Sequence, residues 1–175
     1  YEEYNGVSYD YDPEKAKQLL EEAGYDFSHT FRILYYYTDQ TSIDFMEAIA
    51  YYLREVGMTV ETIQSQQGTT DLYQTRNYDI GYKGRSAFSI AEWYGEYQST
   101  NAYFQNIFGG DTQFDELATQ IAAEADPAKR SEILKELQTL EQENLYKLPL
   151  YTIGNNLFIN TASVKLPDGI TFGNP

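Results

Sequence analysis

Cysteine is absent from this chain, and histidine and tryptophan occur once each, as His29 and Trp93. Without cysteine there is no disulfide, no thiolate metal site and no thiol nucleophile. That absence fits secretion or an excised fragment. His29 has no second histidine or cysteine to share a metal with, so neither a metal nor a cofactor is expected. Positive charge is also scarce. Twelve Lys and Arg face 27 Asp and Glu, a formal net charge of −15. Nucleic acid and anionic membrane would repel such a chain, so no nucleic-acid partner is expected, and the plain reading of the charge is solubility. No apolar run approaches the roughly 20 residues of a membrane-spanning helix. No G-x-S-x-G, P-loop or G-x-G-x-x-G stretch occurs. The first residues, Tyr1-Glu2-Glu3, carry neither a starting Met nor a signal peptide. The chain therefore reads as mature, trimmed or excised.

What is present is enough for one domain with a real core. The chain has 175 residues, 42% of them hydrophobic and 16% aromatic, which is not a disordered composition. Tyr11–Tyr25, YDPEKAKQLLEEAGY, predicts a helix: Asp12 caps it, Pro13 suits its first position, and Gly24 ends it. Thr30–Thr38 is β-branched and aromatic and predicts a strand. Ser42–Gly57 carries a helical stripe of Ile43, Met46, Ile49, Ala50, Leu53 and Val56. Met58–Gln64 reads as a strand, TTDLYQTRN as a short helix, and Tyr78–Gly84 as a further strand. Two helices are expected at about Thr112–Ala125 and at Pro127–Asn144, the second opened by Asp126-Pro127. KLPLYTIGNNLFINT predicts strand, turn at Gly154-Asn155-Asn156, and strand. Alternation of this kind implies an α/β fold, with a mixed, mainly parallel sheet flanked by helices.

Between Arg85 and Gly110 the periodicity breaks. Long irregular segments in compact domains are often functional. This one gathers Trp93, Tyr94, Tyr97, Tyr103 and Phe104 with Glu92, Glu96 and Asn101. Aromatic faces with a few polar groups suit a small-molecule or peptide site. Tyr103, Phe104, Ile107 and Phe108 read as core beneath the loop. Arg85, one of few cations, is expected to pair with a carboxylate, of the protein rather than of a ligand. Abundant carboxylates leave a glycosidase-like pair open, such as Glu92 with Glu96. Most of the acids, Glu14, Glu21, Glu22, Glu132 and Glu136 among them, fall on solvated helix faces.

Taken in order, several stretches resemble the extracellular solute-binding proteins of ABC importers, of the oligopeptide/dipeptide class (family 5). They are YDPEKAKQLLEEAGY, AIAYYLREVGMTVE, RNYDIGYKG and FDELATQIAAEADPAKRSEILKELQTLEQENLYKLPLY, covering about Asp10 to Lys165. The resemblance implies a periplasmic-binding-protein-like lobe, the second large lobe of a two-lobed receptor whose first lobe is missing here. Such lobes close on ligand about a hinge. EWYGEY is similar to the family's cleft motif, Gly-Trp-x-x-Asp-Tyr, with Trp93, Glu96 and Tyr97 on its Trp, Asp and Tyr. Glu92 stands in place of the motif's glycine, and Ser99 and Thr100 stand in place of an Asp-Pro.

The resemblance implies a non-catalytic binding lobe acting outside the cytoplasmic membrane, as a cell-surface lipoprotein or in the periplasm. Its partners are then a peptide or other small solute, the missing lobe and a membrane permease. Trp93 is expected to wall the ligand, Glu96 to take a peptide's α-amino group, and Tyr94, Tyr97, Asn101 and Arg85 to complete the site. An oligosaccharide or a metal chelate is the alternative ligand. A secreted carbohydrate-active enzyme is the distant alternative function.

Overall fold

The Asp12 carboxylate accepts from the Lys15 backbone N–H at 2.9 Å, and Pro13 follows at the first turn. Together they start helix α1, Pro13–Glu22. The computed structural model describes residues 9–105, 107, 111–151, 158–160 and 162–165. After α1 come strand β1 (Thr30–Tyr35), helix α2 (Gln40–Glu55), strand β2 (Thr59–Gln64), a single π-helical turn (Asp71–Thr75) and strand β3 (Ile80–Gly81). Helices α3 (Ile90–Gly95), α4 (Asp115–Ala123) and α5 (Pro127–Asn144) follow.

Among the described residues the sheet has three strands in the order β2-β1-β3, all parallel. β1 is central, with Ile33 opposite Thr62 on one side and Ile80 on the other. A central strand is covered on both faces, and Ile33, Leu34 and Tyr35 are all buried. Ile33 and Tyr35 join Met46 and Ala50 of α2, with Val56, Met58 and Val60, in a first core. Gly57 links α2 to β2 at φ +96°, a left-handed turn that favours glycine. On the other sheet face Leu72 packs onto Gly81, and a Cβ there would lie 2.5 Å from Leu72 Cδ1.

A second core joins α3, α4 and α5 around Tyr94, Tyr97, Phe114, Ala118, Ile121 and Leu137. Asp126 caps α5 by accepting from Ala128 and Lys129 N–H. Arg130 then donates to Ile121 and Glu124 carbonyls and ties α5 to the end of α4.

The structure departs from expectation in three places. The strand expected over Tyr78–Gly84 is two residues long, although Asp79 and Tyr82 N–H still bond β1 carbonyls at 3.0 and 2.7 Å. A short helix, α3, stands inside the segment expected to be irregular. No strand forms over residues 147–151 or 158–160, and the Gly154-Asn155-Asn156 turn falls outside the described residues.

Candidate functional site

Past the carboxyl end of β3 the chain places Lys83, Gly84 and Arg85 beside the open ends of the parallel strands, a common position for ligands in such sheets. Gly84 N–H donates to the Tyr37 hydroxyl at 2.6 Å, which pins this segment to the end of β1. α3 then begins at Ser89, whose hydroxyl accepts from Glu92 N–H, while the Glu92 carboxylate accepts from Phe88 N–H. The first bond satisfies one of the donors that a helix start leaves open, and the second ties down the residue before the cap.

Glu92 and Glu96 are four residues apart and share one face of this turn. Arg85 reaches both. Its Nη2 lies 3.1 Å from Glu92 Oε1, and its Nε is ion-paired with Glu96 Oε1. Glu96 is only 4% exposed, and its second oxygen accepts from Lys147 Nζ at 2.6 Å. The Lys147 ammonium stands 4.1 Å from the Trp93 ring centroid, 4.3 Å from that of Tyr97 and 5.5 Å from that of Phe104. Three aromatic faces and a carboxylate thus enclose one cation. Burial pushes the Lys147 pKa below its ordinary value, and the bond to Glu96 opposes that push.

Behind this cage lies Glu141 of α5, 5% exposed. It accepts from Trp93 Nε1 at 2.8 Å, Tyr94 hydroxyl at 3.0 Å and Tyr97 hydroxyl at 2.5 Å. Asn101 folds the loop beyond. Its Nδ2 donates to the Gly95 carbonyl, and its Oδ1 accepts from Tyr103 and Phe104 N–H.

In front of the cage is an open cavity of about 470 Å³. Tyr73, Lys83 and Arg85 line its sheet side. Glu92, Glu96 and Asn101, with the rings of Tyr103 and Phe104, line the other. Burial raises the Tyr73 hydroxyl pKa, and the Glu96 charge adds to that. A second cavity, of about 340 Å³, lies across Gly84 and is walled by Tyr37, Tyr82 and Tyr151. There the Tyr82 hydroxyl is pushed up to about 12 by burial and by its 2.5 Å bond to Tyr151.

Of the residues expected from sequence, the structure brings Arg85, Glu96 and Asn101 to the first cavity. Trp93, Tyr94 and Tyr97 turn instead toward Glu141 and the helical core. Phe104 and Ile107 pack on that core, Tyr103 is 67% exposed at the cavity mouth, and Phe108 is outside the described residues. Lys147, Glu141, Tyr73 and Lys83 were not legible as site residues. Only the scarcity of cations in so acidic a chain marks Lys147 and Lys83.

Residues 1–115 match the sequence profile described as bacterial extracellular solute-binding proteins, family 5 Middle. Solved structures with a similar fold include the ABC transporter substrate-binding protein CtaP from Listeria monocytogenes, at 20% identity and TM-score 0.68 over 82% of this chain. The periplasmic oligopeptide-binding protein of an oligopeptide ABC transporter from Thermotoga maritima, in its mannohexaose-bound structure, matches at 22% identity and TM-score 0.65 over 79% of this chain. NikA from Staphylococcus aureus, in complex with Ni(L-His)2, matches at 14% identity and TM-score 0.64 over 83% of this chain. This chain covers 30%, 30% and 33% of those three structures, so it spans about a third of their length. Comparison with curated proteins finds no match.

Proposed function

The chain belongs to the bacterial extracellular solute-binding proteins of family 5, and from that premise we propose that it forms the second large lobe of a two-lobed, non-catalytic receptor for oligopeptides. The receptor delivers its ligand to the membrane permease of an ABC importer. It works outside the cytoplasmic membrane, in the periplasm or as a cell-surface lipoprotein.

One observation carries this reading: the 470 Å³ cavity at the carboxyl edge of the sheet. It opens to one side, as half of a cleft does before an opposite lobe covers it. Arg85, Glu96 and Asn101 are polar residues of its lining. Trp93, Tyr97 and Phe104 present their rings to Lys147, and Tyr94 joins Trp93 and Tyr97 in bonding Glu141 behind them. Arg85 spans Glu92 and Glu96 and ion-pairs with both, an arrangement suited to a binding wall rather than to an acid–base pair.

A second ligand class, an uncharged oligosaccharide, is favoured by the aromatic rim of Tyr73, Tyr103 and Phe104, since ring faces stack on sugars as well as on peptides. The Thermotoga relative holds mannohexaose.

Hydrogen exchange on the full-length receptor tests the location. A pool of tri- to pentapeptides is expected to slow amide exchange in residues 83–85 and 92–104. Slowing confined to other segments contradicts this site.

A further inference from the structure

An arriving ammonium needs a free carboxylate oxygen and desolvated aromatic faces. The chain already supplies that ammonium to itself. Lys147 Nζ takes Glu96 Oε2 at 2.6 Å and stands over Trp93, Tyr97 and Phe104, while Arg85 takes Oε1. Both oxygens of a carboxylate that is 4% exposed are engaged by internal cations. A ligand amine would have to displace Lys147, leaving its ammonium buried without its carboxylate. Around this corner the charges balance: Lys83, Arg85 and Lys147 stand with Glu92, Glu96 and Glu141.

We propose that Lys147 is a specificity-determining residue that replaces a ligand's ammonium, so that the part of the ligand docked at Glu96 is uncharged and offers amide or hydroxyl groups. This rests on the receptor reading and narrows it. The receptor takes peptides irrespective of a free amino terminus, or it takes neutral oligosaccharides.

The binding test uses the full-length receptor with three probes: tri-alanine, N-acetyl-tri-alanine and mannohexaose. Acetylation is expected to change the wild-type Kd by less than about threefold. In Lys147→Met the free peptide is expected to bind at least about tenfold tighter than the acetylated one, the scale of one charge-assisted bond. A wild-type preference of tenfold or more for the free amine overturns the proposal. Binding of mannohexaose alone removes the peptide reading and leaves the proposal standing.

If no probe binds, a ligand-free arm tests the premise that Glu96 already holds Lys147. Lys147→Met is expected to lower Tm, Lys147→Arg to lower it less, and Lys147→Met to cost less in a Glu96→Gln background than in the wild type. Unchanged or strictly additive Tm values overturn the proposal.

Discussion

The indole N–H of Trp93 donates to the carboxylate of Glu141 at 2.8 Å, across 48 residues of chain. This bond ties the site loop to the last long helix. Because Trp93 is the sole tryptophan, its fluorescence reports on the corner where the cage is built. Tyr94 and Tyr97 hydroxyls share the same carboxylate.

Replacing Glu141 by Leu removes the carboxylate that accepts from Trp93, Tyr94 and Tyr97. The expected cost is about 3 kcal/mol of stability, since hydrogen bonds to a buried charged group are lost. Glu141→Gln keeps an acceptor oxygen and is expected to cost less. Urea unfolding followed by Trp93 emission measures both. Equal and small losses contradict the role given to Glu141.

Gly81 pairs with Leu34 in the sheet and stays exposed, with the buried Leu72 side chain beside it. A methyl group there meets Leu72 Cδ1 at 2.5 Å. Gly81→Ala is therefore expected to destabilise by about 1–3 kcal/mol through overpacking. The second variant Gly81→Ala/Leu72→Ala relieves the clash, and its denaturation midpoint is expected to depart from the sum of the two single changes.

The Tyr146 hydroxyl donates to Asp111 at 2.6 Å. That bond, the largest cause, holds the Asp111 pKa below its ordinary 3.8. A depressed carboxylate contributes stability above its unfolded pKa, and the contribution is lost as pH falls through the lower folded value. The same bond, with burial second, raises the Tyr146 pKa above 10.0. A raised phenol contributes stability below its unfolded pKa, and loses it as pH rises through the folded value. Tyr146→Phe is expected to flatten both limbs of a Tm-against-pH curve, below about pH 4 and above about pH 10. A curve parallel to wild type contradicts this.

Asn101 closes a turn by holding Gly95, Tyr103 and Phe104 backbone groups. Asn101→Ala is expected to weaken ligand binding by about tenfold, the loss of about 1.4 kcal/mol of loop ordering. Faster amide exchange is expected across 101–105 before ligand is added. Calorimetry and exchange check the two halves separately.

Much of the fold was legible because its signals are local. Asp12-Pro13 and Asp126-Pro127 each mark a helix start, and both helices begin where those pairs predict. The Met46–Ala50 stripe predicts the face of α2 that meets the sheet. α3 escaped a search for periodicity because six residues hold less than two turns, yet Ser89-Ile90-Ala91-Glu92 carries the S-x-x-E signal of a helix start. KLPLY has strand-like composition, but Lys147 is drawn into the aromatic cage and residues 147–151 pair with no strand. The site was legible only as a region. Arg85, Glu96 and Asn101 lie close to one another in sequence, whereas Tyr73, Glu141 and Lys147 reach the same corner through tertiary packing that spacing does not encode.

The most direct measurement is native mass spectrometry of the full-length receptor, purified from its host without refolding. A spread of bound masses matching short peptides of mixed composition is the predicted result. A single mass fitting a hexose series or a metal chelate contradicts the peptide-receptor account and assigns the aromatic rim to that ligand instead.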